Sequence, residues 1–299
     1  MVTNLQLISL EYLIMNIQER LKNKIQTQFM EAHNGLSAKI VEQAGFEAIW
    51  ASGLSISASM GLSDRNEASW TQVLSALEQM SDNVDIPILV DGDSGFGNYL
   101  NVIRLVKKLN QISINALCIE DKLFPKINSF IGEKQELAPI EEFCNKIKAA
   151  KDTGGSNFTL VARVEALISG KPMTEALERA EAYRQAGADA ILIHSKKNTA
   201  TEVFEFSQHW KGKLPLFAVP TKYYNTKYSE FIYYGIDNLI WANHLIRSSI
   251  YSMKRTAERI YNEKSLINVE HNVSTLEELF ELTNERNINK LEKLYNPSN

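Results

Sequence analysis

Residues 86–110 read IPILVDGDSGFGNYLNVIRLVKKLN. An apolar run from Ile86 to Val90 stops at two acids, Asp91 and Asp93. Gly92, Gly95 and Gly97 then supply a tight turn, and apolar residues return at helical spacing from Val102 to Leu109. The stretch is one strand handing over to one helix, with carboxylates placed where the strand ends.

The same unit recurs. Apolar, β-branched runs stand at 27–32 (TQFMEA), 47–52 (EAIWAS), 86–93, 115–121 (NALCIED), 158–166 (FTLVARVEA), 189–195 (DAILIHS), 214–219 (LPLFAV) and 238–243 (NLIWAN), and helical patterns lie between them. Eight strands that each feed a helix predict an α/β fold of the (β/α)8 TIM-barrel type. A doubly wound open sheet is the rival, but no G-x-G-x-x-G follows the first strand. The expected division is an N-terminal helical extension over 1–24, a barrel over 25–265 and a helical appendage over 266–299. That appendage opens with a Ser-x-x-Glu capping box at Ser274 and Glu277.

The 299 residues, 44% hydrophobic and 23% charged, are enough for one large core. A formal net charge of −4 gives no reason to expect nucleic acid or an anionic membrane as partner. Cys118 and Cys144, without a Cys/His cluster, make neither a disulfide framework nor a zinc site, so a reducing cytoplasm is expected. The opening LQLISLEYLIMNI carries Glu11 and is too short to span a bilayer; it reads as an amphipathic helix.

In such barrels the chemistry collects at the carboxyl ends of the strands. Here those ends carry Glu31 and His33, Trp50 to Gly53, Asp91 and Asp93, Glu120 and Asp121, Arg163 and Glu165, His194, Thr221, and Asn243 with His244. The opposite ends are bland, and the bias argues for an enzyme. Asp91, Asp93 and Glu120 would repel one another at a dry barrel mouth unless a cation offset them, and all-oxygen donors suit Mg²⁺, with Mn²⁺ as a substitute. Arg163 needs an anion, whether Glu165, Glu120 or a ligand. His194 either orients a ligand or bonds to backbone.

Two connections exceed the usual joint of about 2 to 6 residues. From Glu120 to Pro139 the link contains EDKLFPKINS, in which Lys122 and Lys126 supply cations and Asn128 and Ser129 neutral donors, as a lid over a multiply charged anion would need. The link over 53–68 contains Asp64 and Glu67, whose spacing also fits a helix N-cap with its capping box.

Taken in order, MEAHNGLSA, WASGLS, DRNEASWTQV, DGDSGFGN, EDKLFPKINS, VARVEALISG, AGADAILIHSKK, VPTKYY and IWANH resemble the phosphoenolpyruvate mutases of the isocitrate lyase superfamily, from about residue 25 to 290. The resemblance implies a barrel that exchanges its last helix with a neighbouring subunit in a homo-oligomer, dimer or tetramer, and a Mg²⁺-dependent interconversion of phosphoenolpyruvate and phosphonopyruvate. It implies Asp91 as the direct metal ligand, with Asp93, Glu120 and Asp64 reaching the metal through water. Trp50, Ser52, Gly53, Leu54 and His194 would surround the substrate, Arg163 would meet its anion, Lys126, Asn128 and Ser129 would close the gate, and Asp64 would be the nucleophile of a covalent route, the alternative being a metaphosphate-like transfer without covalent capture.

Hydrolases on this scaffold tend to carry threonine where position 128 is Asn, which favours the mutase. The carbon–carbon lyases need a lid cysteine, and DKLFPKINSFIGEKQE has neither Cys nor His. A silent binding barrel is expected to have lost some of the acids, and none is missing.

Overall fold

Eight parallel strands follow one another around a closed barrel, in sequence order, in the computed structural model, which describes residues 15–126, 128 and 136–296. The strands are β1 (Thr27–Ala32), β2 (Ala48–Ala51), β3 (Ile88–Asp91), β4 (Ala116–Glu120), β5 (Thr159–Val164), β6 (Ala190–Ile193), β7 (Leu216–Ala218) and β8 (Asn238–Trp241). Each lies inside one of the eight apolar runs. The barrel closes where β1 pairs with β8, Thr27 beside Asn238 and Phe29 beside Ile240.

Alternation along each strand divides the core into two layers. Phe29, Ala48, Leu89, Cys118, Val161, Leu192, Phe217 and Ile240 fill the barrel interior, and Ile17 and Leu21 of the short helix α1 (Ile17–Lys22) join that cluster. Ile49, Val90, Leu117, Leu160 and Ile191 belong to the outer layer, shared with the surrounding helices. Those helices are α2 (Gly35–Gln43), α3 (Gly53–Ser59), α4 (Trp70–Ser81), α5 (Tyr99–Gln111), α6 (Ile140–Gly154), α7 (Met173–Gln185), α8 (Thr201–Trp210), α9 (Tyr228–Tyr233) and α10 (His244–Glu263).

The unit at 86–110 shows how the sequence builds this. Val102, Leu105, Val106 and Leu109 of α5 recur at i, i+3, i+4 and i+7 and are buried, each contributing about 1.5–3 kcal/mol of transfer free energy. Asn98 accepts from Leu100 N and, with Asn101, closes a capping box that sets where the helix begins. Gly92 is required by packing: a Cβ there would stand 2.5 Å from Leu117 Cδ1 and 3.0 Å from Cys118 O.

The chain divides into two compact units, Met1–Ile246 and Arg247–Asn299. The first holds the barrel. The second holds most of α10, a 3₁₀ turn at Glu270–Asn272, α11 (Leu276–Leu282) and α12 (Glu285–Tyr295). The cap of α11 is Thr275 with Glu278 rather than Ser274 with Glu277: the helix starts one residue later than its sequence suggests, and the same S/T-x-x-E geometry is met in the next frame. The expected N-terminal amphipathic helix falls almost wholly on residues 1–14, outside the described residues. No described helix is long and apolar enough to cross a membrane.

Candidate active site

The strand ends deliver their polar groups to one pocket, lined among others by Trp50, Ser52, Leu54, Asp64, Asp91, Glu120, Lys122, Lys126, Asn128, Arg163 and His194. Parallel pairing explains the convergence: Glu120 lies beside Arg163 in register, and every strand points its carboxyl end to the same rim.

On the β2–β3 side, Ser52 caps α3, its Oγ accepting from Ser55 N at 3.3 Å. Gly53 N donates to Asp91 Oδ2 at 3.2 Å, and a Cβ at Gly53 would come within 3.1 Å of Asp93 Oδ1 and 3.3 Å of Asp91 Oδ2. The glycine thus leaves room for two carboxylates against the main chain. Burial pushes both carboxyls up, Asp93 to about 7, with Lys126 opposing the rise in each case.

The lid contributes a cation that bridges Asp93 and Asp64. Lys126 Nζ lies 2.5 Å from Asp93 Oδ1 and 2.6 Å from Asp64 Oδ1, while Asn128 Nδ2 donates to Asp64 Oδ2 at 2.6 Å. Burial alone would lower the Lys126 pKa, but Asp93, Asp91 and Asp64 outweigh it and hold the ammonium well above its ordinary value. Asp64 is therefore not a helix cap. The N-cap of α4 is Ser69, with Gln72 completing its box, and Glu67 accepts instead from Ser63 N and Oγ.

On the β4–β6 side a second cluster forms around buried Glu165. Its Oε1 accepts from Arg163 Nε at 2.5 Å and lies 2.8 Å from His194 Nδ1, and its Oε2 is 3.1 Å from Lys122 Nζ. Burial would raise this carboxyl, yet Arg163, Lys122 and His194 hold it well below the usual carboxylate range. Arg163 Nε is also 3.4 Å from Glu120 Oε2. Nδ1 of His194 stands 2.8 Å from Arg163 Nη2 as well, so that nitrogen donates to Glu165 or accepts from Arg163, not both at once. Burial and then the Arg163 charge lower the pKa of His194 and favour the neutral ring.

Nearly all the sequence-derived site residues thus gather here. Asp93 faces Lys126 and Asn66 rather than the open pocket, and Gly53 enters through its N–H. Ser129 lies outside the described residues. The sequence reading assigned no role to Asn66, whose Nδ2 donates to Asp93 Oδ2 at 2.7 Å while its Oδ1 accepts from Lys126 N at 2.8 Å. Its φ of 58° shows why an Asn stands there, since Asn tolerates the left-handed region. Lys122 was read as a lid cation; it is instead buried at the lid's root.

Counted as fully ionised, five carboxylates (Asp64, Asp91, Asp93, Glu120, Glu165) face three fixed cations (Lys122, Lys126, Arg163), a formal excess of two negative charges that the raised Asp91 and Asp93 offset in part by holding protons. Glu120 Oε1 is buried without a hydrogen-bond partner among the described residues. A hard divalent cation fits this donor set.

A family model described as phosphoenolpyruvate phosphomutase matches residues 18–261. The chain belongs to the phosphoenolpyruvate phosphomutase family. It is 54% identical over 282 residues to the phosphoenolpyruvate phosphomutase of Tetrahymena pyriformis, covering 92% of this chain and 94% of that one. Its fold matches the crystal structure of the phosphomutase from Streptomyces platensis subsp. rosaceus with a TM-score of 0.90 and 38% identity, over 96% and 98% of the two chains. It also matches a phosphonopyruvate hydrolase solved with oxalate and Mg²⁺, at a TM-score of 0.87 and 36% identity over 93% and 97%.

Proposed function

We propose that this enzyme is an isomerase that interconverts phosphoenolpyruvate and 3-phosphonopyruvate by moving a phosphoryl group between the enol oxygen and the adjacent carbon. The observation that carries the reading is the grip of Lys126 and Asn128 on Asp64, directly over a pocket that ends in Ser52, Asp91, Glu120 and Arg163.

The residues divide the work. Ser52, with the main chain of Gly53 and Leu54 and the side of Trp50, receives the substrate carboxylate. Arg163, held by Glu165, offers positive charge to the anion that develops between the two half-reactions. Asp64 takes the phosphoryl group: an oxygen of its carboxylate bonds to phosphorus as the bond to the enol oxygen breaks, leaving its electron pair on the enolate of pyruvate. The methylene carbon of that enolate then attacks phosphorus, and the Asp64–phosphorus electrons return to the carboxylate. Lys126 and Asn128 hold the phosphoryl oxygens and exclude water, which would otherwise release inorganic phosphate and pyruvate. A divalent cation, Mg²⁺ or Mn²⁺, bound by Asp91 directly and by Asp93 and Glu120 through water, would supply further positive charge to the enolate. The Mg²⁺ in the related hydrolase structure supports that choice.

The resemblance also implies a homo-oligomer that exchanges its last barrel helix, which analytical ultracentrifugation checks. The activity is tested by ³¹P NMR of phosphonopyruvate with the enzyme and Mg²⁺. The phosphoenolpyruvate resonance is expected to grow in; accumulation of inorganic phosphate alone would make the protein a hydrolase.

A further inference from the structure

Behind the pocket, and outside its lining, Asp121 stands buried at the end of β4. Its Oδ1 accepts from Glu165 N at 2.8 Å, and its Oδ2 accepts from the Tyr183 hydroxyl at 2.6 Å and from Arg179 Nη1 at 3.3 Å. Arg179 Nη1 also reaches Ala138 O at 3.0 Å and Tyr183 Oη at 3.2 Å. Tyr183 and Arg179 are both on α7, one turn apart, and Phe143 packs edge-on against the Tyr183 ring.

The same few residues join the two roots of the lid. Ala138 N donates to Asp121 O at 2.9 Å, Leu123 N donates to Glu136 O at 3.2 Å, and Lys122 pairs antiparallel with Leu137. One buried carboxylate therefore fixes three things together: the outgoing root of the lid, the returning root through Arg179 and Ala138, and the main chain that carries Glu165. Glu165 in turn holds Arg163, His194 and Lys122. Asp121, Arg179 and Tyr183 are absent from the pocket lining described above.

We propose that Asp121, Arg179 and Tyr183 are positioning residues that set the register between the lid and the Glu165 cluster, and so decide how completely phosphoryl transfer is kept from water. The proposal rests on the phosphomutase reading given above. A barrel strand end needs no such shared anchor for stability alone, since a main-chain turn would satisfy the same N–H and C=O groups. What the side-chain cluster adds is coupling of lid position to Arg163 orientation.

The test is Tyr183→Phe, which removes one hydroxyl and keeps the ring, with Arg179→Lys as the second variant; the readout is the partition of phosphonopyruvate between phosphoenolpyruvate and inorganic phosphate in ³¹P NMR. Loss of a hydrogen bond to a buried charge is expected to lower kcat about tenfold with KM within about twofold, and to raise the phosphate share several-fold. Arg179→Lys, which keeps the charge but not the forked donors, is expected to shift the partition in the same direction. A partition unchanged from wild type in a folded variant, whether or not the melting temperature falls, overturns the proposal. If the wild-type enzyme itself forms no phosphoenolpyruvate, the phosphomutase reading fails first, and the two failures are told apart.

Discussion

Asn128 donates to Asp64 across 64 positions of sequence, and with Lys126 on the other carboxylate oxygen the lid engages both oxygens of one acid. The carboxylate is held in one orientation, and on the proposed route Lys126 and Asn128 stand where they can also meet the oxygens of a phosphoryl group that Asp64 receives. The lid donors and Asp64 thereby form a matched set, and removing one donor tests the role proposed for them.

Asn128→Ala is expected to slow isomerisation about ten- to a hundredfold, the range for one hydrogen bond to a charged group of about 1.5–3 kcal/mol. Mg²⁺ affinity, measured by isothermal titration, should change by less than about threefold, because the Asn128 amide donates to Asp64 and the metal is proposed to sit on Asp91. A rate equal to wild type would remove the lid from the mechanism.

Asp91→Ala should abolish turnover and divalent-cation binding together. The chelator EDTA should do the same to the wild-type enzyme, reversibly on adding Mg²⁺. Titration of Mn²⁺ followed by electron paramagnetic resonance reports binding without turnover; retained tight binding in Asp91→Ala would move the metal to other ligands.

Glu165→Gln leaves Arg163, Lys122 and His194 around a neutral amide. Breaking a buried pair by removing one partner is expected to cost about 3–5 kcal/mol of stability, read from urea denaturation. Catalysis should fall through kcat, since the contact that aims Arg163 loses its negative partner and is weakened. A stability within about 0.5 kcal/mol of wild type would show that the cluster is not held by this carboxylate.

His194 has its pKa lowered by burial and by Arg163. A base whose folded pKa lies below its unfolded value binds fewer protons when folded, so stability is full above about pH 6.5 and declines as the pH falls below it. Histidine ¹H–¹⁵N spectra should show the His194 ring titrating below the ordinary histidine range, and melting temperatures should drop from pH 7 to 5.5. A ring that titrates above 6.5 would contradict the environment described.

The barrel was legible because strand and helix periods differ and because parallel strands send their acids to one rim: Asp91, Glu120, Arg163 and His194 could be placed from their position at run ends alone. What stayed hidden were partnerships without a local period. Asn66 meets Asp93 across 27 positions and Asp121 meets Tyr183 across 62, and neither spacing leaves a mark in the sequence. The cap reading at Asp64 failed for a related reason. Local spacing allowed it, but the charged lid offered that carboxylate two stronger donors, and Ser69 supplied the helix start instead.

Glu31, buried at the end of β1, accepts from Leu245 N at 2.9 Å and Ile246 N at 3.2 Å, while its other oxygen meets His33 Nδ1 at 2.7 Å. The first strand thereby holds the opening turn of the last barrel helix. A shortened chain that stopped after β8 would strand this carboxylate in the interior without its two amide donors, so a fragment that keeps the first strand satisfied must reach at least Ile246.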